Sequence, residues 1–280
     1  MSNIWIFQTG EPLHSDNIDA RPMRAMNLAN TLVSRGHNVV LWSSSFYHQE
    51  KSHRSKNFQK IQVSDRLEIC LIPSPGYKSN VSIFRLIDHL FLALNLKKQL
   101  SVQNKIPDVA FVGYPPIESA FIMSHWLKKR NVPFLLDVKD QWPSIIVRNA
   151  PKSMKIITRI LLSPYYIIAK KTMANSTGIC AMSRGFVDWS LLFSKRVKSN
   201  FDFIAPLTSP IEVLTNLERT EATLFWSKKN VIEGDNCNRI IFVGSFSSRA
   251  FNFDEVFLTA HKLRNINCEF IICGYGELDA

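Results

Sequence analysis

The sequence predicts an α/β protein built on parallel sheets, and three observations carry that prediction. Short runs rich in Val, Ile, Leu and Phe alternate along the chain with longer segments of helical periodicity. Several of the runs are apolar throughout, as strands covered on both faces are, and lack the polar alternation of a half-exposed sheet. The composition, 46% hydrophobic and 20% charged over 280 residues, is that of a globular chain and excludes a disordered or collagen-like one.

Strands are expected over residues 4–8, 39–43, 67–72, 108–113, 134–138, 178–183, 201–205, 240–244 and 269–274, joined by right-handed crossovers. The first helix is expected over 19–35, with Asp19 as its N-cap, Pro22 in its first turn and Gly36 as its stop. Further helices are expected over 82–100, 117–130, 152–173, 185–193 and 253–263. The last opens on Asn252 and Glu255 in capping-box spacing. Residues 208–238 interrupt the rhythm with Pro210 and Gly234-Asp235-Asn236, and the domain change is placed near residue 200. Charge changes sign there as well. Residues 1–200 hold 27 basic and 12 acidic side chains, a net of +15, whereas residues 201–280 hold 7 and 11, a net of −4. Two regions of opposite sign are expected to meet different partners.

Five cysteines without a C-x-x-C pair argue against a disulfide framework or a zinc site. The start carries no basic leader, and no apolar run approaches the roughly 18 residues of a membrane span. The expectation is a cytoplasmic protein, soluble or peripheral on a membrane.

Ligands of open parallel sheets bind beyond the carboxyl ends of the strands, so those loops hold the candidate sites. The first strand runs into Gln8-Thr9-Gly10-Glu11-Pro12, which is not a dinucleotide fingerprint; Gly10 permits close backbone approach to a ligand or is simply a loop glycine. Arg21 and Arg24 fall in the expected first helical turn, where they either hold a phosphate or carboxylate or are solvated. His14, in the same loop, is the one histidine singled out. After strand 134–138, Asp140 is placed to hydrogen-bond a sugar or act as a base, with Trp142 as an apolar platform. Otherwise Asp140 is a helix cap and Trp142 is core. Farther on, Gly244 and Ser245, with Arg249 nearby, and then Gly274, Gly276 and Glu277, form two small-residue strand ends suited to phosphate. Helix 152–171 repeats Lys152, Lys155, Arg159, Lys170 and Lys171 among apolar residues. It and the very apolar segment 82–100, which ends on Lys97-Lys98, lie on anionic lipid or else face the core with their lysines solvated. No nucleic-acid-binding motif accompanies the charge.

In their order and spacing, Arg21-Pro22-Met23-Arg24, Arg35-Gly36-His37, Asp137-Val138-Lys139-Asp140-Gln141-Trp142-Pro143, Ala181-Met182-Ser183, Phe242-Val243-Gly244-Ser245 and Gly274-Tyr275-Gly276-Glu277 resemble glycosyltransferases of the GT-B architecture, specifically the family-4 group of bacterial surface-polysaccharide synthesis. The resemblance implies two Rossmann-like domains with parallel sheets, the second incomplete. Residues 1–200 would form the acceptor side and 201–280 part of a nucleotide-sugar-binding domain. It implies transfer of a sugar from a nucleotide-sugar donor to a glycan or lipid-linked acceptor, in a cleft among residues 10, 140 and 244. The family generally retains anomeric configuration, uses no bound metal and needs no cofactor beyond the donor.

By the same analogy Asp140 is catalytic. Gly10, Gly244, Ser245, Arg249, Gly274, Gly276 and Glu277 bind donor, while His14, Arg21, Arg24 and Trp142 serve the acceptor. The N-terminal domain would dock on the inner membrane through its basic helices. The family's paired glutamates, separated by seven residues, should follow Glu277, beyond Ala280. A donor-silent relative that keeps acceptor or membrane binding is therefore the alternative. A basic nucleic-acid-binding protein is the third reading, set aside for want of a motif.

Overall fold

The computed structural model describes residues 1–16, 22–79, 82–207, 214–232, 234–246 and 252–276. The chain divides into two compact units, Met1–Pro210 and Ile211–Ala280.

In the first unit the elements run β1 (Asn3–Phe7), α1 (Arg24–Ser34), β2 (Asn38–Ser44), β3 (Phe46–Tyr47), β4 (Ser52–His53), β5 (Gln59–Ser64), β6 (Leu67–Ile72), α2 (Ile83–Ser101), β7 (Val109–Tyr114), α3 (Ile117–Lys128), β8 (Phe134–Val138), α4 (Ser144–Asn149), α5 (Lys155–Leu161), α6 (Ser163–Asn175), β9 (Gly178–Ala181), α7 (Arg184–Ser194) and β10 (Phe203–Ile204). Eight strands form one sheet in the order β10-β9-β8-β7-β1-β2-β6-β5. Every pairing is parallel except β5 with β6, and β3 and β4 form a separate small antiparallel pair. The chain builds outward from β1 to β2 and β6, then returns to β7 and builds the other way. The switch point therefore lies between β1 and β7.

Residue alternation along β1 shows why the sheet is covered on both faces. Trp5 and Phe7 join a core with Leu92 and Leu96 of α2, Met123 of α3, Met173 of α6 and Val187 of α7. Ile6 joins a second core with Ala25 and Ala29 of α1. Period-two side chains thus send one strand's residues into two layers. Trp5 stands between Trp42 and Trp126 at ring-centroid distances of 5.1 Å each, the second pair stacked.

Several boundaries differ from expectation, each for a local reason. Helix α1 starts at Arg24, so Pro22 precedes it; Asp19 and Arg21 lie outside the described residues. Its Met23 N-cap makes no side-chain capping bond, and the Ala25 N–H is instead taken by Glu11 Oε2 from the loop after β1, at 2.8 Å. The expected helix 152–173 is broken at Leu162 into α5 and α6, with Pro164 in the first turn of α6, where its missing N–H costs nothing. Helix α2 begins as expected, Ser82 Oγ accepting the Arg85 N–H.

The second unit holds α8 (Asn216–Ser227), β11 (Asn238–Phe246), α9 (Phe253–Lys262) and β12 (Cys268–Gly276). Helix α8 falls where the sequence reading saw only an interruption. A full capping box, Thr215 with Glu218, opens it. The box expected at Asn252 does not form. Strands β11 and β12 pair in parallel and put Gly244 beside Gly274 and Ser245 beside Tyr275. Among the described residues no helix is long and apolar enough to cross a membrane.

Candidate functional site at the switch point

The carboxyl ends of β1, β2, β7 and β8 surround a pocket of about 250 Å³. Gln8, Thr9 and Gly10 enter it from β1, Ser44 and Phe46 from β2 and its extension, Pro115 and Pro116 from β7, and Lys139 and Asp140 from β8. Arg85, Asp88 and His89 of α2, with His48 and Tyr77, complete the wall. Parallel strands point the free ends of their backbones outward together here, and the reversal of strand order opens a crevice between β1 and β7.

The floor needs small residues. Gly10 has a φ of 77°, a left-handed conformation natural to glycine. A Cβ on Gly113 would lie 2.0 Å from Gln8 Oε1, so the Gln8 side chain occupies space that only glycine leaves. Gln8 is buried, its amide nitrogen bonds the Thr9 carbonyl at 2.8 Å, and its Oε1 has no partner.

On the α2 side, aromatic and imidazole rings interlock. His48 Nδ1 takes the Tyr77 hydroxyl at 2.5 Å and the Lys51 ammonium at 3.0 Å, which leaves the imidazole proton on Nε2. Burial first, then Lys51 and Arg85, lowers the His48 pKa to about 4. His89 is pushed lower still, to about 3, by burial and then by Arg85 and His48. Both histidines are therefore neutral at neutral pH. His89 Nδ1 and Glu118 Oε2 face each other at 4.0 Å without a hydrogen bond, and Tyr165 donates to the other Glu118 oxygen at 2.8 Å. Asp88 accepts the Gly76 N–H at 2.7 Å, and burial raises its pKa. The Arg85 guanidinium lies 4.9 Å from the Trp142 ring and 5.8 Å from the Tyr77 ring.

Asp140 is half-buried at the rim. Burial raises its pKa, against the Gln141 N–H, the Trp142 side chain and the Arg85 and Arg148 charges, which all favour the carboxylate. Behind it, Glu11, Lys139, Asp137 and Arg24 alternate in charge. Lys139 pairs with Glu11 and lies 3.6 Å from Asp137, and Arg24 bonds Asp137 at 2.8 Å and the Ala205 carbonyl at 2.5 Å. Asp137 is fully buried, and burial raises its pKa although Lys139 and Arg24 oppose the rise. The loop after β1 is pinned by Arg54, whose guanidinium grips both Asp16 oxygens at 2.6 and 2.5 Å.

Of the residues singled out in the sequence, Gly10 and Asp140 line this pocket. Trp142 packs behind it against Arg85 and His89, and its carbonyl accepts the Tyr114 hydroxyl. Arg24 stands in the buried charge row. His14 bonds Asn30 of α1 at 2.7 Å. Gly244 and Gly274 are register partners in the second unit, with Ser245 and Gly276 in the same strand ends. Arg21, Arg249 and Glu277 lie outside the described residues. Lys152, Arg159 and Lys171 are exposed and Lys155 and Lys170 half-buried. Residues the sequence reading missed are His48, Tyr77, Arg85, Asp88 and His89. One signal was available: Asp88-His89 is an adjacent charged and titratable pair inside an otherwise apolar helical stretch. Among the described residues no three His, Cys, Asp or Glu side chains converge as a metal-ligand set would.

No family model matches the sequence, and no curated protein matches it. Solved structures do share the fold. The catalytic domain of starch synthase IV from Arabidopsis thaliana, bound to ADP and acarbose, aligns over 99% of this chain and 69% of its own at 9% identity, with a TM-score of 0.57. A UGT transferase from Siraitia grosvenorii in complex with UDP aligns over 96% and 64% at 12% identity, with a TM-score of 0.51. LpCGTa, also in complex with UDP, gives the same coverage, identity and score. The chain spans about two thirds of each of these structures. Its fold is GT-B-like, two Rossmann-like α/β domains with mostly parallel sheets, the second sheet the smaller.

Proposed function

We propose that the chain is a glycosyltransferase of the family-4 kind, moving a sugar from a nucleotide-sugar donor to a polysaccharide or lipid-linked acceptor, with retention at the anomeric carbon and without a bound metal. The observation that carries this reading is the pocket at the switch point. It offers an amide, two neutral imidazoles, a phenol and two carboxylates beside aromatic rings, a set suited to binding sugar hydroxyls and stacking on a sugar face. The nucleotides in the fold relatives support a donor of that class.

In this reading Asp140 contacts the reacting sugar, and Gly10 leaves room for the donor phosphates. The Gly244–Ser245 and Gly274–Gly276 strand ends take the diphosphate through backbone amides, Arg249 adds positive charge, and Glu277 serves the donor as an acceptor of hydrogen bonds. Catalysis rests on stabilising the leaving diphosphate. Trp142 serves the acceptor by holding Arg85 and His89 in place. Arg24 acts through Asp137, and His14 and Arg21 bind the acceptor. Lys152, Lys155, Arg159, Lys170 and Lys171 face an anionic inner-membrane surface from the cytoplasm.

Calorimetry with UDP- and GDP-sugars tests the reading. Saturable binding that Asp140→Asn weakens supports it, and the anomer of the product, read by NMR, reports retention. Failure of every nucleotide sugar to bind, with vesicle binding intact, would favour the donor-silent relative.

A further inference from the structure

The charges of the switch-point pocket are sorted by wall. On the α2 side two cations gather about one buried ring: the Lys51 ammonium lies 4.7 Å from the Tyr77 centroid and the Arg85 guanidinium 5.8 Å. Each cation also meets a second ring. Lys51 bonds His48 Nδ1 at 3.0 Å, and Arg85 lies 4.9 Å from Trp142. His48 and Tyr77 both line the pocket, as Arg85 does. Lys51 is held there on a left-handed backbone, φ 55°, which residues other than glycine adopt only at a cost. Burial and then Arg85 lower the Lys51 pKa, so the two charges repel each other.

The acids of the pocket are engaged elsewhere. Asp88 accepts the Gly76 N–H at 2.7 Å and a hydrogen bond from Ser74, which ties it to the loop before α2. Asp140 stands at the rim after β8 and accepts the Gln141 N–H. The remaining cation of the lining, Lys139, pairs with Glu11. His48 adds a donor to the α2 wall: its Nδ1 takes Tyr77 and Lys51, so its proton is on Nε2. One wall is thus cationic and rich in donors, and the β8 rim carries a carboxylate. Like charges held side by side are unfavourable until an anion is seated against them, and donors of this kind make their strongest hydrogen bonds to an ionised acceptor.

We propose that the α2 wall receives the carboxylate of an acidic sugar, so that the acceptor of this chain is a uronic acid or a sugar of that class. Arg85, Lys51 and His48 hold the carboxylate, and the ring's hydroxyls are then offered to Asp140 at the opposite rim. The planar guanidinium fork matches the two oxygens of a carboxylate. A void of about 250 Å³ admits one sugar ring, with Phe46 and Tyr77 as apolar surfaces beside it. A phosphate fits less well, because Asp88 and Asp140 line the same pocket and would oppose its second charge. The word acceptor rests on the sugar-transfer reading, but the preference for an acidic sugar does not.

Titration of the whole chain with methyl glucuronide and methyl galacturonide, with the amides of both, and with methyl glucoside, followed by ligand-observed NMR, tests it. Each amide has the shape of its acid without the charge. At least one uronide is expected to bind about tenfold or more tighter than its amide and than the glucoside, by a margin that narrows as salt rises. Arg85→Gln should remove the margin, and Lys51→Gln should reduce it. An unchanged circular dichroism melt shows the variants to be folded, and the comparison of acid with amide on the wild type needs no variant. Absence of binding by both uronides, equal binding of acid and amide, a margin that survives Arg85→Gln, or inorganic pyrophosphate binding the same wall more tightly than the uronide would each overturn the proposal. Nucleotide-sugar calorimetry on the same samples reports separately on sugar transfer. Donor binding without a preference for the acid would remove this inference alone, whereas a preference for the acid without donor binding would remove the transfer reading and leave an acidic-sugar site.

Discussion

Two polar clusters stand at the same end of the same sheet, and they are built differently. On the α1 side Glu11, Lys139, Asp137 and Arg24 alternate in charge, each carboxylate beside a cation and each cation beside a carboxylate. On the α2 side His48, Tyr77, Arg85, Asp88, His89 and Asp140 surround a void, with neutral imidazoles. Buried charge that is paired holds loops together. Hydrogen-bonding side chains that line a void are placed to meet a ligand. Lys139 belongs to both, pairing with Glu11 while lining the pocket, and so couples the rigid cluster to the open one.

The strongest way to break the comparison is to remove the centre of the paired cluster. Asp137→Ala leaves Arg24 beside no carboxylate in a nearly dry site, and the expected loss is about 3–5 kcal/mol in urea unfolding of the first unit's signal. A loss under about 1 kcal/mol would mean that the row is not structural.

Next is the seam where the clusters meet β7. Gly113→Ala places a methyl where Gln8 Oε1 now lies, 2.0 Å away, and should cost about 1–3 kcal/mol as Gln8 is displaced. Gln8→Ala/Gly113→Ala should recover most of that loss, since the clash is with a side chain that the second change removes. If the double variant is as unstable as Gly113→Ala, the strain lies in the backbone instead.

The contrast also shows which parts were legible in the sequence. The strands were, because fully covered β1, β2, β7 and β8 are apolar on both faces and read as continuous runs. Gly10 and Asp140 were legible because they follow those runs directly, and strand ends are where parallel sheets bind ligands. The α2 wall was not, because His48, Tyr77 and His89 meet only through tertiary packing between segments up to 41 positions apart. Glu11 as the cap of α1 was hidden for the same reason: the side chain that satisfies Ala25 comes from another loop, so local capping rules pointed to Asp19. The strand β5 was missed because its side chains are mostly exposed and polar, as befits the antiparallel edge of the sheet.

The neutral histidines make the pocket cluster lose stability in acid, whereas the buried Asp137 of the paired cluster acts in the opposite direction. His89 has a folded pKa of about 3, well below its unfolded value of about 6.5. Its stabilising contribution is complete above pH 6.5 and is lost as pH falls, because the unfolded chain binds a proton that the folded chain refuses. The expected slope from this residue is about 1.4 kcal/mol per pH unit below 6.5. Asp88 and Glu118, raised by burial, work in the opposite direction on acidification, so the measurement is a difference. Urea unfolding at pH 7, 6 and 5 should show a shallower acid loss in His89→Asn than in the wild type. Parallel curves would place the imidazole proton elsewhere.

The smallest stability effect belongs to Asp140→Asn, and it separates the two clusters most sharply because Asp137 is only three residues away. Asn keeps an oxygen for the Gln141 N–H and removes a charge that burial disfavours. Folding free energy should therefore change by less than about 1 kcal/mol in either direction. Ligand binding should respond in the opposite proportion: a carboxylate that accepts hydrogen bonds from sugar hydroxyls is worth about 1.5–3 kcal/mol to the complex, or roughly ten- to a hundredfold in affinity for a nucleotide sugar. An Asp140 variant that unfolds easily would move the residue into the paired cluster, and one that is stable and binds undiminished would remove it from the site. A stable variant that has lost the ligand is what a carboxylate at the mouth of an open pocket should give, since its partners come from the ligand and not from the fold.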